Sequence, residues 1–176
     1  MKKIIFVLFV AVLFTGCDKV SELTRFDIPI SRSIDVPALA TVLPTGHKAT
    51  LTVSPNLGEE LSKRSLSSDR IEEIVLKSLG LELTSPTTGD LTFLKSVTVE
   101  ISAEGLEKKR IAYAENVPDN VGKTLTLAVE NVDLKNYFLK ESITLEVTLA
   151  TDKVTTSIYS LKVNSVFTVD LKVLGF

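Results

Sequence analysis

The chain has 176 residues, 44% apolar and 24% charged, which suits one folded domain with a full hydrophobic core and excludes a disordered chain. With 20 basic and 22 acidic residues it carries a formal net charge of −2, so it has no electrostatic footprint for nucleic acid or for an anionic lipid surface. Its single cysteine, Cys17, rules out an internal disulfide.

The first element is an export signal. Met1-Lys2-Lys3 is a short positive stretch, followed by an unbroken apolar run from Ile4 to Phe14. As a helix that run spans about 16 Å, roughly half the hydrocarbon thickness of a bilayer, so it fits a removable signal segment better than a permanent membrane span. Thr15-Gly16-Cys17 follows at once and resembles the lipobox read by the lipoprotein signal peptidase. Phe14 departs from that pattern, standing where it usually has leucine. The resemblance implies cleavage after Gly16 and acylation of Cys17, which explains a lone cysteine in an exported chain. Cleavage would remove Lys2 and Lys3 and leave 18 basic against 22 acidic residues, net −4. The hold on the membrane is therefore expected to come from acyl chains on Cys17, two or three of which anchor firmly. The expected organisation is a signal peptide over 1–16, the lipidated cysteine and a short polar tether over 17–24, and a β domain over 25–176.

From Arg25 onward the dominant hydrophobic period is two. Phe26, Ile28 and Ile30 predict a strand that Pro29, lacking an N–H, consigns to a sheet edge. Ile34 and Val36 predict a second short extended piece ended by Pro37. Ala38 to Leu43 reads as either a helical turn or a crossing loop, and Pro44-Thr45-Gly46-His47 as a turn. Ala49, Leu51 and Val53 alternate with polar residues as in a half-buried strand. Ser54 to Asp69 is polar and serine-rich and is expected to be a loop, with Ser68 or Asp69 capping one helical turn through Ile71-Glu72-Glu73. A strand is expected over Ile74 to Thr84, with Val75, Leu79, Leu81 and Leu83 on one side; Ile71, Ile74, Val75 and Leu79 also fit a helical period.

Ser85 to Asp90 is a turn cluster. Val97, Val99 and Ile101 predict the next strand, which Gly105 breaks, and Ile111 and Tyr113 another. Leu125, Leu127 and Val129 predict one strand, and Asp133 to Leu139 one or two helical turns with Leu134, Tyr137 and Phe138 inward. Ile143, Leu145, Val147 and Leu149 form a clear alternation before a turn at Thr151-Asp152-Lys153. The last stretch puts Tyr159, Leu161, Val163, Phe167, Val169, Leu171 and Val173 on one parity. Fifteen extended residues would span about 50 Å, so a bend or bulge at Asn164-Ser165 is expected. Eight or nine strands with one apolar face predict an all-β fold, an antiparallel β-sandwich, immunoglobulin-like or related.

The residues that carry chemistry are sparse. His47 is the one histidine and lies in a turn, and nothing offers a metal-ligand cluster or a cofactor loop. Glu59-Glu60 and Glu72-Glu73 are neighbours whose side chains diverge on a strand or a helix. Glu100 and Glu146 are carboxylates that only the fold can bring together. There is no tryptophan, and Tyr113, Tyr137 and Tyr159 are the only tyrosines, a poor supply of platforms for sugars. Lys108-Lys109-Arg110 beside Glu104 and Glu107 reads as a solvated turn. No catalytic, cofactor-binding or metal-binding residue is therefore assigned; the site residue is Cys17, for lipidation.

Leu76-Lys77-Ser78-Leu79, Ser85-Pro86, Asp90 to Ser96, Ile101 to Leu106 and Val132 to Tyr137 resemble a group of uncharacterised exported lipoproteins of Bacteroidota-like bacteria. The resemblance implies an all-β lipoprotein and carries no activity to any residue. The expected function is a non-enzymatic, membrane-tethered interaction or accessory domain of the cell envelope. Its partners would be the membrane, through the acyl chains on Cys17, and an envelope protein, with an exposed apolar patch or an unpaired sheet edge as the working surface. The alternatives are a carrier of a lipid-like apolar ligand held between the sheets and, below it, a carboxylate-dependent hydrolase. Which of the two bacterial membranes would hold the anchor does not follow from the sequence.

Overall fold

The computed structural model describes residues 24–172. The signal peptide, Cys17, the tether up to residue 23 and Val173 lie outside the described residues. Within them are nine strands: β1 (Arg25–Val36), β2 (His47–Val53), β3 (Ile71–Ser85), β4 (Leu94–Ala103), β5 (Leu106–Ala114), β6 (Thr124–Thr126), β7 (Ala128–Val129), β8 (Ile143–Thr151) and β9 (Tyr159–Leu171). Two short helices join them, α1 (Leu57–Lys63) and α2 (Lys135–Phe138).

The strands form two antiparallel sheets, in the orders β1-β9-β3-β6 and β2-β8-β4-β5-β7. The pairs nest: β4 with β5, β3 with β6, β2 with β8 and β1 with β9. A long hairpin folded back on itself and wound over two sheets has this order, so the expected sandwich is a jelly roll, a relative of the immunoglobulin arrangement with different connections. The inner faces meet in one continuous core. Val36, Leu161 and Phe167 of one sheet and Val99, Ile101 and Val147 of the other are wholly inaccessible to solvent.

The clean alternations fold as read. Val97, Val99 and Ile101 of β4 and Ile143, Leu145, Val147 and Leu149 of β8 are all buried, with polar residues between them. Pro29 does sit on an edge strand, because β1 is the outermost strand of its sheet. The turn Glu104-Gly105 joins β4 to β5, and Gly105 adopts a φ of 73°, which a Cβ would make costly. Leu134, Tyr137 and Phe138 are buried at α2, where the Phe138 and Phe167 rings meet with centroids 4.7 Å apart.

Five expectations are corrected. Residues 25–36 form one strand rather than two pieces, because β1 pairs with β9 in unbroken register from Arg25↔Asp170 to Val36↔Tyr159. The serine-rich stretch after β2 contains helix α1. Leu57 and Leu61, one turn apart, are buried, and Glu59–Lys63 and Glu60–Arg64 form ion pairs on the outer side at 2.9 and 2.6 Å. Ile71-Glu72-Glu73 is not a helical turn: a 3-10 turn occupies Ser68–Arg70, and Ile71 already belongs to β3. Within β3, Val75 is not on the side of Leu79, Leu81 and Leu83. Bulges opposite β9 between Ile71 and Glu73 and between Leu76 and Ser78 each add a residue, so Ile74 and Leu76 point inward and Val75 outward.

The fifth correction concerns the two long runs near the end. Thr124 to Val129 is not one strand. Leu125 pairs with Leu81 in one sheet, Leu127 N–H donates to the Leu79 carbonyl, and Ala128 then pairs with Tyr113 in the other sheet. The corner carries the chain across the core. The final run, by contrast, stays whole through Asn164-Ser165: β9 is continuous because its neighbour β3 takes up the irregularities as bulges. Ser165 fills an inward, buried position, and its hydroxyl donates to the Ile30 carbonyl at 2.9 Å.

Candidate functional site

Two carboxylates that are 46 residues apart in sequence, Glu100 on β4 and Glu146 on β8, are direct cross-strand partners. They lie on the outer face of the five-stranded sheet. On their own they would repel, but each flanking strand supplies a cation. Lys48 of β2 places Nζ 2.8 Å from Glu146 Oε1, and Lys108 of β5 places its Nζ 3.1 Å from the same oxygen and 3.7 Å from Glu100 Oε2. The result is a four-strand charge ladder, positive-negative-negative-positive. Hydrogen bonds from Lys48 and then Lys108 hold the Glu146 carboxyl below its ordinary range, and the bond to Glu146 raises the Lys48 ammonium. A carboxyl that delivers a proton to a leaving group needs the opposite shift. The ladder therefore keeps Glu146 ionised at neutral pH and neutralises it in place.

The other wet face has a matching pattern. A shallow groove of about 400 Å³ crosses the outer face of β1, β9 and β3, lined by Arg25, Asp27, Glu73, Val75, Lys77, Thr168 and Asp170. Arg25 bonds Asp170 at 2.7 Å, and Lys77, sent outward by the bulge in β3, bonds Asp27 at 2.7 Å. Thr168 donates to the second oxygen of Asp27, and Lys77 and Thr168 together lower that carboxyl.

The remaining sequence candidates do not converge on these groups. His47 opens β2 opposite Leu149 and is half-buried. Glu59 and Glu60 are held by Lys63 and Arg64 on α1, and Glu72 and Glu73 lie on β3. Tyr137 is buried and donates its hydroxyl to the Glu107 carbonyl; the Tyr159 ring meets Phe93 at a tilt of 55°, with centroids 4.6 Å apart. Lys108-Lys109-Arg110 is part of strand β5 rather than a turn, and Arg110 pairs with Glu130 while its guanidinium lies 4.4 Å from the Tyr113 ring centre. Among the described residues no group of three or more histidine, cysteine or carboxylate side chains converges as a metal site.

Two open grooves flank α1. One, of about 490 Å³, runs between Ser54-Pro55-Asn56, Leu57, Leu61 and the Phe138-Leu139 corner. The other, of about 240 Å³, lies between β1 at Ile28–Arg32 and Val53–Asn56. Both open to solvent at the margin of the sandwich, and the buried apolar side chains of the two sheets form one cluster between them.

Among the described residues, three of the five exposed large apolar side chains gather at one end, while Val129 and Leu139 lie elsewhere. Val42, Val154 and Ile158 are exposed on two loops zipped together by the Leu39–Thr155 pairing. This end lies about 40 Å along β1 from Thr24, at the rise of an extended strand. Thr24 itself sits at the opposite end, its carbonyl accepting from Leu171 N–H, and next to it Lys172 N–H donates to Arg70. A long-range loop pairing of this kind leaves no periodic signal in the sequence.

No protein-family model matches the chain, and no curated protein does. Among solved structures, the acid-stable capsid of Helicobacter pylori bacteriophage KHP30 is 8% identical over 85% of this chain and 99% of its own, with a TM-score of 0.36. The T=1 particle derived from infectious bursal virus is 11% identical over 86% of this chain and 37% of its own, also with a TM-score of 0.36. A Clostridium perfringens protein solved in complex with GalNAc-β-1,3-galactose is 15% identical over 70% of this chain and 99% of its own, with a TM-score of 0.30. None of these likenesses bears on function.

Proposed function

We propose that the chain is a lipoprotein of the bacterial cell envelope, anchored through acyl chains on Cys17 and presenting a non-enzymatic jelly-roll interaction domain. The observation that carries the reading is the sequence order of a positive start, a short apolar run and Thr15-Gly16-Cys17, with that cysteine the only one in the chain. The disposition of the domain supports it. Thr24 immediately precedes β1 at one end of the sandwich, seven residues after Cys17, and the exposed Val42, Val154 and Ile158 lie at the other. An anchored domain so arranged holds its apolar loops away from the bilayer, where an envelope protein meets them. Glu146, Asp27 and Asp170, held in ion pairs on open faces, favour an interaction role over hydrolysis.

The test is intact mass and membrane fractionation of the full chain beside Cys17→Ser. Wild type is expected to lose residues 1–16, gain acyl mass and pellet with membranes, and the variant to do none of these. A soluble, unmodified wild-type chain would overturn the reading.

A further inference from the structure

We propose that β2 is a self-association edge, pairing antiparallel with the β2 of a second copy about a two-fold axis at Thr50. The case starts from how the sheet edges among the described residues are protected. A bare edge offers a row of unpaired N–H and C=O groups, and proteins blunt it with proline, charge, shortness or a cover. Strand β1 has Pro29, an arginine (Arg32) at an inward position between Ile30 and Ile34, and Arg64 laid over Phe26 at 4.2 Å. Strand β6 is only three residues long and β7 only two. The part of β5 that β7 leaves bare carries Lys108, Lys109 and Arg110, and the Glu107 and Ile111 carbonyls there are taken by Tyr137 and Glu130.

Of these devices strand β2 has a single charge, Lys48, whose ammonium is held back over its own sheet by Glu146 at 2.8 Å. It is seven residues long, has no proline, and pairs with β8 in regular register without a bulge. The main-chain groups of His47–Val53 make no hydrogen bond to a described residue outside that ladder. Ala49 and Leu51 have inward parity yet stay half-buried, whereas Val53 beside them is buried. An added strand would complete both deficits, bonding the backbone and covering the two side chains.

The occupant is named by the strand's own sequence. With the axis at Thr50, Thr50 meets its own copy, Lys48 meets Thr52, small Ala49 meets large Leu51, and His47 meets Val53. No like charges face each other, and a threonine pair and size-matched apolar pairs are favourable cross-strand neighbours. The contact is isologous and closes as a dimer, joining two five-stranded sheets into one. This surface is independent of the anchor.

The experiment measures the mass of the full chain in detergent micelles by sedimentation equilibrium, for wild type, Thr52→Lys and Thr52→Glu. Thr52 is exposed and faces Thr144 within its own sheet, so both variants should keep the fold, which far-ultraviolet circular dichroism checks. Wild type is expected to be a dimer. Thr52→Lys places a lysine against Lys48 of the second copy twice over and should weaken the dimer about tenfold; Thr52→Glu places a carboxylate there and should tighten it by a similar factor. A monomeric wild type would overturn the proposal, including the case in which β2 binds an extended segment of another protein instead. So would a dimer that neither substitution changes.

Discussion

At the scale of single residues, the most informative group is Glu146. It is ringed by Lys48 and Lys108, and their hydrogen bonds hold its carboxyl low. A carboxyl whose affinity for protons falls on folding stabilises the fold above its unfolded pKa, and that contribution disappears as the pH drops through the depressed folded value. Glu146→Gln is therefore expected to lower the melting temperature slightly at neutral pH. The gap should narrow below about pH 4.5, the ordinary value for glutamate, and shrink with added salt. Melting curves of both proteins from neutral to acid pH, at low and high salt, check it; a gap that widens in acid would mean that the lysines do not hold the charge. That Glu100 and Glu146 face each other was not legible from their spacing, because register between strands so far apart is set by the whole nest of pairs. That their lysines neutralise them was invisible for the same reason.

At the scale of elements, strand β3 shows what the sequence hid and why. The intervals Ile71, Ile74, Leu76, Leu79, Leu81 and Leu83 mix steps of three with steps of two, so the first half mimics a helix. In the fold each step of three is a bulge, at Glu72 and at Lys77, and the inward parity resets after it. Strand β8, and β4 from Val97 to Ile101 where it pairs with β8 in regular register, were fully legible, since simple alternation is all that a regular half-buried strand requires. Helix α1 was missed although its signals are present: Leu57 and Leu61 at helical spacing, with Glu59–Lys63 and Glu60–Arg64 beside them, were masked by the surrounding serines. The bulge predicts that a deletion in mid-strand is tolerated. Deleting Lys77 without altering any other residue leaves Leu76 and Leu79 two residues apart, so plain alternation keeps both inward and the register with β9 closes without the bulge. The variant is expected to keep its cooperative denaturant transition, followed by circular dichroism; loss of that transition would show that the bulge is required for the fold.

At the scale of the molecule, nesting puts the first and last strands side by side. Arg25 of β1 hydrogen-bonds Asp170 of β9 across 145 residues of sequence, and β9 is the central partner of both β1 and β3. Loops that long must close before the contacts that reward them exist, so folding should be slow, in milliseconds to seconds rather than microseconds. Stopped-flow refolding of the purified protein measures this directly, and a microsecond phase accounting for the full signal change would contradict it. The same ladder has a mechanical consequence. A pull on the chain entering at Thr24, resisted at the Val42–Ile158 end, runs lengthwise along β1. The twelve residue pairs between β1 and β9 then bear the load together in shear, instead of parting one at a time. The domain is built to be stiffest along the axis that runs from Thr24 to the loops of Val42 and Ile158.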